Sequence, residues 1–313
     1  MMSNTAPIAV LDSGVGGIGV LRELQKALPG EAFLYFGDCA NAPYGEKSPA
    51  RIREIVLARA TRLLCRAKAL VLACNTATAV AATELRRKTL LPVIGMEPAV
   101  HPALSVCPHP RVLVLATKAT LEGEKFRALA RNAGATGATV VPLAAPGIVR
   151  LVEAGTLAGA APRAYLTELL SPFCSIRFDA VVLGCTHFPF LEEELHRALG
   201  YPVPFFDGAA GTARETGHRL AAAGLLRSTG SVPDKQTSGA WGTCGIAFAA
   251  ESENTAGAPE VCGCRIPVAH SHPEGISLPA WAPGRVLLAS SDRGKLPLMQ
   301  NLLKIAPSDR AAK

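Results

Sequence analysis

Apolar residues gather in short, almost unbroken runs along the first two-thirds of the chain: Ile8 to Leu11, Phe33 to Phe36, Ala69 to Ala73, Pro92 to Gly95, Arg111 to Ala116, Thr139 to Leu143, Ala180 to Leu183 and Val203 to Phe206. Runs this short and this uniformly apolar read as strands buried on both faces. The stretches between them carry apolar residues at helical spacing. Ile18, Leu21, Leu24 and Leu28 share one face of a helix that Pro29-Gly30 ends, and Ser48-Pro49 reads as an N-cap with proline at the first helical position. Further helices are expected over Ala77 to Lys88, from Thr117 through about Arg131, and over Gly147 to Ala154, Arg163 to Leu170, Leu191 to Leu199 and about Thr212 to Leu225. Strand and helix in alternation predict an α/β fold with parallel sheets.

The pattern restarts near Met96 to Pro98. The first strand of the second half begins at Arg111, 103 residues after Ile8, and two matching strand ends, Cys74 and Cys185, are 111 residues apart. Nearly equal offsets predict a duplication. One α/β domain spans residues 1–97 and is completed by about 207–229; a second spans 98–206. After residue 229 Gly, Ser, Pro and Thr rise and helical periodicity is lost, until the apolar run Arg285 to Ala289. Residues 230–313 are therefore expected to form an atypical, loosely ordered tail.

Composition narrows the class. Of 313 residues 49% are hydrophobic and 18% charged, and aromatics at 5% leave the cores to Ala, Val, Leu and Ile. No apolar run is long enough for a membrane span, and no secretory signal is visible at the amino terminus, so a cytoplasmic protein is expected. Nine cysteines in a chain this long argue for reduced thiols, not a disulfide framework, and no pair has metal-site spacing. The formal net charge of +7 is concentrated between Lys47 and Lys68, where Arg51, Arg53, Arg59, Arg62 and Arg66 share a helix with an apolar stripe. They read as a solvated basic face before they read as a nucleic-acid site.

The candidate chemistry lies at the strand ends. In open parallel sheets ligands sit beyond the carboxyl ends of the strands, where Asp12, Ser13, Cys74, Cys185 and Asp207 are found. Two opposed thiols suit stereoinversion: one takes a proton from carbon while the other delivers one to the opposite face, with no metal or cofactor. Each sulfur then needs an acid or base neighbour. Asp12 is the candidate beside Cys74; His187 and Glu153 are candidates beside Cys185. Ser13, Asn75, Thr76 and Thr186 offer hydroxyls, an amide and backbone N–H groups to a polar substrate, and Pro43-Tyr44-Gly45 can lay a phenol and a bent backbone over the cleft. The glycine turn Gly14-Val15-Gly16-Gly17 leaves amides free for an anion, or serves only as a turn. It lacks the dinucleotide fingerprint and a Walker lysine.

Four motifs in order, Leu11 to Gly17, Tyr35 to Asp38 with Pro43-Tyr44-Gly45, Ala73 to Thr76, and Leu183 to Pro189, resemble the signature set of the glutamate racemase family from about residue 7 to about residue 226. The resemblance implies two pseudo-symmetric flavodoxin-like α/β domains with mostly parallel sheets and an active site in the cleft between them. It implies cofactor-independent interconversion of L- and D-glutamate for peptidoglycan, and a homodimer. Its catalytic residues fall on Cys74 and Cys185, supported by Asp12, Glu153 and His187. Its substrate contacts fall on Asp12, Ser13, Tyr44, Gly45, Asn75, Thr76, Thr186 and His187, with Pro43 beside them. Cys39 stands where the family usually has threonine. The same resemblance leaves room for an aspartate or hydantoin racemase. A catalytically idle protein binding nucleic acid or DNA gyrase through its basic face is the alternative of a different class.

Overall fold

The computed structural model describes residues 5–227 and 284–304. In the first half β1 (Ile8–Asp12), α1 (Ile18–Ala27), β2 (Phe33–Gly37), α2 (Pro49–Leu64), β3 (Ala69–Leu72), α3 (Asn75–Lys88) and β4 (Val93–Gly95) follow in turn. The second half comprises α4 (Val100–Ala103), β5 (Arg111–Ala116), α5 (Lys118–Leu121), α6 (Glu124–Ala135), β6 (Thr139–Ala144), α7 (Pro146–Glu153), α8 (Ala160–Leu170), β7 (Ala180–Leu183), α9 (Glu192–Leu199) and β8 (Phe205–Phe206). Then come α10 (Ala209–Ala222), β9 (Val286–Ser290) and α11 (Leu296–Lys304). The helix expected to run on from Thr117 is broken at Gly123 into α5 and α6.

Two separate sheets form, with order β4-β3-β1-β2-β9 and β6-β5-β7-β8, and every pairing is parallel. The strands β1, β2, β3 and β7 are buried along their whole length, as their unbroken apolar runs require when helices cover both faces. In each sheet the chain lays its first strand, adds the second on one side, then crosses to the other side for the third. The order reverses between β1 and β3, and again between β5 and β7. Those two reversal points are where a doubly wound sheet leaves a crevice beyond its strand ends. Asp12 closes β1 and Cys74 follows β3; Thr117 follows β5 and Cys185 follows β7. The duplication inferred from spacing therefore places the two cysteines at equivalent corners of equivalent sheets.

Local signals account for the helices. Ser48 caps α2 by accepting a 3.3 Å bond from the Arg51 amide, with Pro49 opening the helix. Ile52, Ile55, Val56, Ala60, Leu63 and Leu64 are the buried face of α2. Its basic face is partly neutralised: Arg51 pairs with Glu54, Arg53 with Glu84, and Arg59 lies 3.5 Å from Asp38. α10 packs on α1 and β4. The chain beyond it is held at Arg227, whose amide bonds the Glu31 carboxylate at 2.8 Å. Glu31 is buried against Lys68 at 2.6 Å, at the edge opposite the site.

The expected loosely ordered tail requires correction over residues 284–304. The run Arg285 to Ala289 becomes β9, which extends the first sheet by pairing with β2 from Phe33↔Val286 to Gly37↔Ser290. β2 is apolar on both faces, so its far edge is stable only when another apolar strand covers it. α11 then packs on α1, with Met299 and Leu302 fully buried. The rest of the expected tail, 230–283 and 305–313, lies outside the described residues. Among the described residues no helix is long and apolar enough to cross a membrane.

Candidate active site

Cys74 stands two residues past β3 and caps α3. Its sulfur accepts the Ala77 amide at 3.5 Å, which orients the thiol at the first turn of the helix. Burial pushes its pKa up to about 12, and Asp12 and Cys185 push in the same direction. Cys74 is therefore a protonated thiol, and the two sulfurs are near enough for a charge on one to bear on the other. Asp12, the last residue of the neighbouring strand, is fully buried. Burial raises its pKa, while His187 and the Gly14 and Gly17 amides oppose the rise.

Cys185 belongs to a different proton circuit. Its sulfur lies 3.7 Å from His187 Nδ1, and His187 Nε2 lies 2.7 Å from Glu153 Oε1. Burial works against the imidazolium, but Cys185, Glu153 and Asp12 outweigh it and hold the His187 pKa well above its ordinary value. Burial also works against the Glu153 carboxylate, yet His187, the Val15 amide and Lys295 bring its pKa below the ordinary value. Thr186 joins the two circuits, since its hydroxyl lies 3.3 Å from Asp12 Oδ1 and 3.4 Å from His187 Nδ1. One wall thus holds a thiol that keeps its proton, and the other a thiol beside a charged imidazole.

The glycine turn after β1 is where the halves touch. A methyl group at Gly14 would collide with the Glu153 carboxylate, and one at Gly16 would sit 2.6 Å from both His187 Nδ1 and Thr186 Oγ1. Only glycine lets the turn approach side chains of the other half so closely. Its amides bind the protein's own carboxylates: Gly14 N donates to Asp12 at 3.0 Å and Val15 N to Glu153 at 2.8 Å. The anion the turn was expected to attract is intramolecular.

The remaining candidates divide. Ser13, Asn75 and Thr76 are buried beside the thiols, and both polar atoms of the Asn75 side chain lack a hydrogen-bond partner among the described residues. A buried amide with no partner is expensive unless it is reserved for a ligand. The Tyr44 side chain differs from the expectation. The Tyr44 phenol is buried and donates a 2.7 Å bond to Asp38, so it anchors its loop and does not lie free over the cleft. Gly45 faces the second half, where a methyl group would stand 2.8 Å from Thr117 Cβ. Thr117 and Thr120 were missed as site candidates. Their hydroxyls meet at 2.9 Å, and Thr76 joins them at 3.0 and 3.4 Å, a buried trio spanning the two halves. The signal was Thr117 just past the end of β5, the place Ser13 takes after β1 in the first half. Among the described residues no group of three or more His, Cys, Asp or Glu side chains is arranged to hold a metal ion.

The frame and these contacts define a class: a duplicated, doubly wound α/β protein that brings two strand-end thiols, each with its own acid–base partners, together where its halves meet. The profile of the Asp/Glu/Hydantoin racemase family matches residues 16–216. A glutamate racemase of Clostridium perfringens is 43% identical over 217 residues, 69% of this chain and 83% of that protein. One from Ectopseudomonas mendocina is 46% identical over 217 residues, 69% of this chain and 82% of its own length. The crystal structure of Escherichia coli glutamate racemase in complex with L-glutamate and the activator UDP-MurNAc-ala matches with a TM-score of 0.63 and 34% identity, over 75% of this chain and 86% of that one. The chain belongs to the Asp/Glu/Hydantoin racemase family.

Proposed function

We propose that this chain is a glutamate racemase that interconverts L- and D-glutamate by two-base proton transfer through Cys74 and Cys185, with no cofactor, and so supplies D-glutamate for peptidoglycan. The observation that carries the mechanism is the different surroundings of two thiols at equivalent strand ends: Cys74 beside Asp12, and Cys185 3.7 Å from the His187 imidazole. Cys74 retains its proton, whereas Cys185 sits beside an imidazolium that can hold a proton for it. In one direction the Cys185 sulfur takes the α-proton, the electron pair of the broken C–H bond stays with the α-carbon and its carboxylate, and the Cys74 S–H delivers its proton to the opposite face. Cys74 is then the base for the other isomer, with Asp12 beside it to exchange the proton. His187 and Glu153 do the same for Cys185.

Glutamate as substrate is supported by the names of the relatives and by the polar groups around the thiols. Ser13, Asn75, Thr76 and Thr186 suit the α-carboxylate and ammonium, and the Thr76–Thr117–Thr120 hydroxyls suit a second carboxylate at the far end of the ligand. An aspartate or hydantoin racemase would use the same thiols with a different grip. The test is circular dichroism of the purified full chain in deuterated buffer, offered L-glutamate, L-aspartate and a hydantoin in turn. Loss of ellipticity with glutamate and deuterium at its α-carbon are expected; activity confined to the other two would reject the substrate. Cys74→Ser and Cys185→Ser should each lower turnover by at least about 10³-fold with an unchanged far-ultraviolet spectrum. A single variant that still racemises at near wild-type rate would sink the two-base scheme.

A further inference from the structure

The residue that fixes Glu153 comes from the carboxyl-terminal segment. α7 ends at Glu153 in a Schellman turn: Gly155 adopts φ +75°, its amide bonds the Val152 carbonyl at 2.9 Å, and the Thr156 amide bonds the Leu151 carbonyl at 2.9 Å. That turn leaves the Glu153 carbonyl to be satisfied from elsewhere. Lys295 Nζ donates to it at 2.6 Å. An ammonium is the favoured partner there, because the carbonyls at a helix end carry the negative pole of its dipole. Leu298 lies against Gly155 in the same place, 3.4 Å from the position of an added methyl group. On its other flank α7 is tied to the first half by Arg150, whose guanidinium meets Glu46 at 2.7 Å.

We propose that Lys295 is a positioning residue for the Cys185 circuit. It pins the last turn of α7 to the segment β9–α11, so that the Glu153 carboxylate is held between the Val15 amide and His187. β9 is part of the first sheet and α7 belongs to the second half, so Lys295 also sets how the two halves meet at the site. Its charge acts in the same sense as its bond, lowering the Glu153 pKa. The other groups facing the Glu153–His187 pair are Asp12 from β1, Tyr35 from β2, Cys39 from the loop after β2, and Cys185.

This inference rests on the racemase reading for its kinetic arm, and a second arm is independent of turnover. In Lys295→Met, kcat with glutamate should fall about three- to tenfold with KM nearly unchanged, and the acid limb of the pH profile should move upward as Glu153 becomes harder to ionise. Lys295→Arg, which keeps a cation, should restore both. Imidazole NMR of the isotopically labelled full chain should show the His187 pKa falling in Lys295→Met, because the Glu153 contact that raises it is loosened, and returning in Lys295→Arg, whether or not any substrate is turned over. A rise, the direct effect of removing a cation, overturns the positioning role. If Lys295→Met does not fold, Lys295→Gln is read in its place. An unmoved His187 titration in a folded variant overturns the proposal. Absent wild-type turnover with a moved titration overturns the racemase reading alone.

Discussion

At the scale of single residues the two strand-end thiols have different neighbours, Asp12 for Cys74 and the His187–Glu153 pair for Cys185. His187 and Glu153 also make folding depend on pH. A raised histidine pKa contributes stability that is complete below the unfolded value of 6.5 and is lost as pH rises through the folded value. A lowered carboxylate pKa contributes stability that is complete above the unfolded value of 4.5 and is lost as pH falls through the folded value. Both contributions are complete between those two values. His187→Asn should therefore cost about 1–3 kcal/mol in urea unfolding near pH 6, and distinctly less in alkaline buffer. An equal cost at both pH values would show that the pair is not charged in the fold. Asp12, Cys74, Cys185, Thr186 and His187 were legible in the sequence because each ends a buried strand or directly follows one. Glu153 ends a helix, where sequence pattern says little, and it was the least marked of the candidates for an acid–base neighbour of Cys185. Thr117 was read only as the start of a helix, which it caps by accepting the Thr120 amide at 3.2 Å, and Thr120 carried no signal of its own.

Among the elements, the turn between β1 and α1 determines how near the halves can come. Gly14→Ala puts a methyl group into the Glu153 carboxylate, and the backbone or the helix end must move to relieve it. Displacements of this size cost about 10²-fold in turnover, and that loss is expected in a steady-state assay. Gly19→Ala is the control, since nothing lies within 4 Å of the added carbon, and it should match the parent protein. Sequence alone left two roles open for this turn, anion site or plain bend. The structure gives a third, in which the amides hold Asp12 and Glu153 and the missing side chains make room for His187 and Thr186. Such a role depends on residues more than 130 positions away (138 for Val15 and Glu153) and cannot be read from local spacing.

For the molecule as a whole, the duplication was legible in the matching offsets of strands and cysteines, and the sheets are parallel, as the uniform apolar runs predicted. The end of the first sheet was not legible. The run at 285–289 is separated from the last patterned helix by a long stretch without periodicity, so nothing local joined it to Phe33–Gly37. A chain stopped before residue 284 would uncover the β2 edge and lose buried Leu287, Met299 and Leu302, each worth about 1.5–3 kcal/mol. That sum rivals the net stability of a typical domain. The shortened protein should appear in the insoluble fraction or melt well below the full chain in calorimetry; an unaltered melting point would mean β9 adds nothing to the sheet.

The pairing of β9 with β2 has a consequence for biosynthesis. About 250 residues separate two neighbouring strands, and chain ends that distant are slow to meet. The far edge of β2 therefore stays uncovered while the ribosome makes all the chain between the two strands, and β9 docks beside it late. The second half, whose strands are all made by residue 206, can mature first, and Lys295, made after β9, reaches the Glu153 carbonyl later.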